Sequence, residues 1–145
     1  MRLPVYAPPS AGVRRRMQAV RTRDTAPELA LRSELHRLGL RFRLGVVLLA
    51  GTRRRVDIVF PGAKVVCLVH GCFWHGCPKH LVWPTRNPRF WRAKIRQNQA
   101  RDVETEQLLR ESGWAVVVCW EHEAPERVAA RVYRIVRRRL SASRT

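Results

Sequence analysis

Between His70 and His80 the chain reads His70-Gly71-Cys72-Phe73-Trp74-His75-Gly76-Cys77-Pro78-Lys79-His80, which sets three histidines and two cysteines in one short loop. Thiolate and imidazole are the ligands a tetrahedral zinc ion takes, and Cys72, Cys77 and His80 have a spacing that such a site tolerates. A fourth ligand must come from elsewhere. Cys119, on a later apolar segment expected to lie beside this one, completes a Cys3His set, whereas Cys67 belongs to the strand before the loop and is left out. Four protein ligands leave no open position, so the metal would be structural and would fix the loop to the sheet. The plainer alternative makes Cys67 and Cys119 core residues and the loop cysteines free thiols.

That site does not use His75, which leaves an imidazole for acid–base work near neutral pH. Hydrolysis of a phosphodiester needs a cation against the charge building on phosphate, a base to prepare water, and groups that hold the water in line. Asp57 lies in the apolar run Val56-Asp57-Ile58-Val59-Phe60, where an ionised carboxylate is costly unless a cation or donor satisfies it. It is a candidate Mg²⁺ ligand, or a partner for the neighbouring arginines. His75 is the candidate base. Glu28 is a candidate holder of the metal's outer water, or simply a helix cap. Phe73, Trp74 and Trp91 are large enough to be pushed between base pairs and unstack them, a use that competes with ordinary core packing.

These groups need elements to position them. Thr25-Ala26-Pro27-Glu28 has the form of a capping box, and Leu31, Leu35 and Leu38 share one face before Gly39, which predicts a helix over 26–38. Strands are expected over 40–48, 54–60 and 64–69, the last two joined at Pro61-Gly62 as a hairpin. A helix from about Pro88 to Ser112, a buried strand over 114–120 and a last helix over 125–140 follow, with Arg137, Arg138 and Arg139 expected to complement the dipole at its end. The class is α/β: a small mixed sheet flanked by helices, with a structural zinc site.

The chain of 145 residues has 29 Lys and Arg against 11 Asp and Glu, a net charge of +18, and arginine supplies most of the excess. Guanidinium suits bidentate contact with phosphate, so nucleic acid is the expected partner. Residues 1–16 form a proline-containing basic arm in which Arg14, Arg15 and Arg16 are placed to lie along a phosphate backbone, and residues 17–145 are read as a single domain. No apolar run approaches the length of a membrane span, and no secretory signal is evident, so a cytoplasmic, nucleoid-associated monomer is expected.

Arg23-Asp24-Thr25-Ala26-Pro27-Glu28, Gly39-Leu40-Arg41-Phe42-Arg43, Val56 to Phe60, His70 to His75, Phe90-Trp91 with Lys94-Ile95, and Gly113-Trp114 occur in order between Met17 and Glu121. Together they closely resemble the very short patch repair (Vsr) DNA mismatch endonucleases. The resemblance implies a core like that of restriction endonucleases and a strand-specific nick 5′ of the thymine in a T·G mismatch left by deamination of 5-methylcytosine. It implies that Asp57 binds Mg²⁺ together with the main-chain carbonyl of Val69, that His75 prepares the water with help from Glu28, that His70 contacts the scissile phosphate and that Asp102 supports them. It also places Phe73, Trp74 and Trp91 beside the mismatch, and makes mismatch-repair proteins candidate partners. Two alternatives stand beside this reading: a restriction-like nuclease acting on another DNA structure, and a zinc-stabilised DNA-binding protein without catalysis.

Overall fold

The computed structural model describes residues 25–143, and the basic arm with Arg14, Arg15 and Arg16 lies outside them. Helix α1 (Ala26–Arg37) is followed by β1 (Arg43–Val47), β2 (Arg55–Phe60) and β3 (Val65–His70), then α2 (Pro88–Glu111), β4 (Ala115–Trp120) and α3 (Pro125–Ser143). The four strands form one sheet in the order β1-β2-β3-β4. The first three are antiparallel, and β4 runs parallel to β3, so the sheet is mixed as expected. No helix among the described residues is long and apolar enough to cross a membrane.

Two glycines end helices by the same device. Gly39 has φ +83, its amide donates to His36 O, and the Leu40 amide donates back to Leu35 O. Gly113, at φ +91, repeats this, with the Trp114 amide returning to Leu109 O. Glycine enters this left-handed region without the clash a Cβ would bring, and the returning amides satisfy the last carbonyls of each helix. Because Leu40 is taken up in that cap, β1 starts at Arg43 and is shorter than the sequence predicts. The β2–β3 hairpin closes tightly, with Lys64 N donating to Pro61 O.

β3 is apolar because it is covered on both faces. One face packs Ile58, Phe60, Val65, Cys67, Val117 and Cys119 against Leu31 and Leu35 of α1 and Val128, Val132 and Val136 of α3. The other packs Val59, Val66, Leu68 and Val116 against Leu109 of α2. Each fully buried aliphatic side chain, Leu35 for example, contributes roughly 2–3 kcal/mol of transfer free energy. Helix α3 runs past the predicted stop to Ser143, so Arg137, Arg138 and Arg139 fall short of its last turn and do not cap its dipole. Arg139 instead donates to Ala63 O and Gly113 O, fastening α3 to the end of the sheet where β3 and β4 begin.

Candidate active site and metal centre

The loop after β3 is held from both sides. The Cys72 amide donates to the Glu121 carboxylate, which follows β4, and Glu121 N donates to His70 O. On the other side α2 presents Trp91, Ile95, Asn98 and Asp102 at helical spacing. Asn98 donates to Trp74 O, Gln99 donates to Gly76 O, and Asp102 meets His75. Gly76 has φ +64, and a Cβ there would collide with Gln99 and Ile95, so glycine is what lets the loop lie against the helix.

His75 Nδ1 is 2.6 Å from Asp102 Oδ2. An ionised carboxylate can only accept, so Nδ1 carries the proton and Nε2 keeps a lone pair free to act as a base. His70 stacks on His75 with ring centroids 4.0 Å apart and planes 3° apart, and its Nε2 is 4.0 Å from Asp102 Oδ1. Burial, reinforced by His75 and opposed by Asp102, lowers the His70 imidazole to about 4, so it is neutral at physiological pH.

Asp57 accepts a hydrogen bond of 2.8 Å from Val69 N through Oδ2. Burial pushes its carboxyl up to about 6; the charge of Glu28 adds to the rise, while the Val69 amide, His75 and Arg32 oppose it. Lys64 and His70 turn their carbonyls toward β4, accepting from Ala115 N and Glu121 N. Alternation along the strand turns the Val69 carbonyl the other way, to the side where its own amide meets Asp57. Glu28 is buried, and its Oε1 pairs with Arg32 at 3.1 Å. Thr25 occupies the N-cap, yet its side chain makes no cap hydrogen bond, so the capping box is not formed and Glu28 faces inward.

The cysteines divide differently from the sequence expectation. Cys72, Cys77, His80 and His122 bring their donor atoms within 4.8 Å of one another. Cys72 Sγ and His122 Nδ1 are 3.3 Å apart, Cys77 Sγ and His122 Nδ1 3.6 Å, and Cys77 Sγ and His80 Nδ1 3.8 Å. Tetrahedral zinc, with bonds of about 2.3 Å to sulfur and 2.0 Å to nitrogen, sets sulfur and nitrogen about 3.5 Å apart, so this Cys2His2 set fits the ion. Cys119 is not part of it. Its side chain lies in the core on the face shared with Cys67, where β4 pleating directs it, while His122 lies just past the strand end and can reach the loop.

The profile of the family described as DNA mismatch endonuclease Vsr matches residues 9–80. The type II nicking enzyme V.NaeI of Lentzea aerocolonigenes is 45% identical over 128 residues, covering 87% of this chain and 77% of the relative. V.XorIIP of Xanthomonas oryzae pv. oryzae, likewise described as a type II nicking enzyme, is 47% identical over 108 residues, 74% of this chain and 77% of the relative. The DNA mismatch endonuclease Vsr of Escherichia coli is 41% identical over 106 residues, 72% of this chain and 66% of the relative. The chain belongs to the Vsr family. Membership places it among DNA endonucleases, in agreement with the family expected from its motifs.

In this Vsr-family chain Phe73, Trp74 and Trp91 form one cluster, with centroid separations of 5.1, 5.3 and 5.7 Å. Phe73 and Trp74 are half-buried, and Trp91 is buried in edge contact with both. Five residues that hold the site together escaped the sequence reading: Glu121, His122, Arg32, Asn98 and Gln99. His122 had a signal, lying two residues past the buried strand expected over 114–120. Asn98 and Gln99 follow Trp91 and Ile95 at helical spacing, a pattern that has meaning only once the loop is known to dock there.

Proposed function

We propose that this chain is a Mg²⁺-dependent endonuclease that nicks one strand of duplex DNA 5′ of the thymine of a T·G mismatch arising from 5-methylcytosine deamination. The observation that carries this reading is the His75–Asp102 pair at 2.6 Å in the same site as Asp57, in a chain of the Vsr family. Asp57 and the Val69 carbonyl would hold Mg²⁺ and Glu28, paired with Arg32, its outer water; the two carboxylates and the carbonyl are oxygen donors, as that ion requires. When bound, the ion supplies neutralisation of charge on the phosphate. His75 Nε2 takes the proton of the attacking water, Asp102 stabilises the imidazolium that forms, and phosphorus gains the water oxygen as it loses the sugar oxygen of the cut end. Neutral His70 would donate a hydrogen bond to the scissile phosphate without adding charge. Phe73 and Trp74, backed by Trp91, would wedge into the mismatched step, which resists unstacking least.

The Cys72, Cys77, His80 and His122 cluster would hold a structural zinc ion, with no open position for chemistry. We read residues 17–145 as a single restriction-endonuclease-like domain that acts as a monomer in the cytoplasm, with the basic arm of residues 1–16 on DNA.

The test is a nicking assay with Mg²⁺ on otherwise identical matched and T·G duplexes in several cytosine-methylation contexts. A nick confined to the thymine strand of the mismatched duplex is expected, and His75→Ala should slow it by about 10²–10⁴-fold. Equal cutting of matched and mismatched DNA would remove the mismatch reading while leaving a nuclease.

A further inference from the structure

Helix α3 has Glu126 as its only acidic residue against six arginines. Arg127, Arg131, Arg134 and Arg138 recur at helical spacing on the side away from the buried Val128, Val132 and Val136. Two of the six arginines are used by the fold: Arg131 binds Glu123 and Val118 O, and Arg139 binds Ala63 O and Gly113 O. Arg127, Arg134, Arg137 and Arg138 are exposed and have no ion pair or side-chain hydrogen bond among the described residues.

Their line has a direction. At one end Arg127 shares the lining of an open cavity of about 480 Å³ with Lys79, Cys77 and His122, beside the candidate metal cluster. At the other end Arg139 ties α3 to the opposite end of the sheet, where β3 and β4 begin. We propose that α3 is a phosphate track that holds duplex DNA outside the catalytic centre, starting beside the Cys–His cluster and leading away from it. From Arg127 to Arg138 the helix rises about 17 Å. One strand of a duplex presents a phosphate about every 3.4 Å, so the track faces about five phosphates, enough to engage each exposed arginine. A membrane surface is disfavoured, because the residues between the arginines on this face are small or polar, with no large apolar group to insert.

The inference rests on duplex DNA being the substrate, and its test needs no catalysis. Binding of a matched duplex in Mg²⁺-free buffer is followed by fluorescence anisotropy across a series of KCl concentrations. Each phosphate contact contributes about 0.9 to the slope of log K against log salt. The triple variant Arg127→Gln/Arg134→Gln/Arg138→Gln is expected to lower that slope by about 2–3. The corresponding triple lysine variant should retain it, and Arg134→Gln alone, an exposed mid-helix change that leaves the core untouched, should lower it by about 0.9. An unchanged slope in the glutamine variants overturns the proposal, as does a lysine variant as weak as the glutamine one, since contact through charge would then be excluded. Should matched-duplex slopes behave as expected while T·G duplexes are not nicked, the track stands and the reading of the active site falls.

Discussion

Asp57→Asn is expected to abolish nicking, by on the order of 10³-fold or more, and at the same time to make the protein more stable. Asparagine keeps an acceptor for the Val69 amide but removes a charge that the fold disfavours. The ordinary carboxyl value of 3.8 rises to about 6 in the folded protein, so the folded state binds this proton more tightly than the unfolded chain does. The associated stability is present in full below 3.8 and is lost as pH rises through about 6, a loss of about 3 kcal/mol at neutral pH. His70 works in the opposite sense. Its value falls from 6.5 to about 4, so its contribution is complete above 6.5 and disappears as pH falls through 4. In the wild type the two groups largely offset one another in this window. Urea unfolding without Mg²⁺ should therefore show Asp57→Asn more stable than wild type at pH 7.5, with an advantage that shrinks on acidification. A variant no more stable than wild type at pH 7.5 would refute the strain assigned to Asp57.

The second large effect concerns His122. His122→Ala is expected to abolish stoichiometric zinc in the purified protein and to lower its stability by several kcal/mol, because binding energy at a structural site is folding energy. Cys119→Ala should keep its zinc and cost about 1 kcal/mol through lost core packing alone. Metal analysis of the two variants, read with their melting temperatures, separates a Cys2His2 cluster from a Cys3His one. Retention of zinc by His122→Ala, or its loss from Cys119→Ala, would reverse the ligand assignment.

Cys119 and His122 also illustrate how far the sequence could be read. The position of β4, its burial and its place beside β3 follow from a continuous apolar run, and the stops at Gly39 and Gly113 from the conformation only glycine adopts cheaply. The side of the sheet to which a strand residue points depends on pleat and register, which no run of apolar residues discloses, so Cys119 looked available when it was committed to the core. The capping box at Thr25 and Glu28 failed for a related reason. A capping box and an inward-facing carboxylate share one sequence, and the choice between them rests on Arg32 and on the strand bearing Asp57. The loop residues Cys72, His75, Cys77 and His80 were legible because few arrangements other than a metal or catalytic site concentrate such side chains. The helix that seats them was legible as a helix, though not as a seat.

That seat sets a gauge. Trp91, against which Phe73 and Trp74 pack, and Asp102, which pairs with His75, stand on one unbroken rod about 17 Å apart along its axis. In the proposed reaction the stride between the distorted step and the bond that is cut would therefore be set by a count of residues in α2, independent of the bases that lie between. A single residue inserted between Trp91 and Asp102 would turn one about 100° relative to the other and leave each intact but out of phase, a machine with both its jaws and no bite.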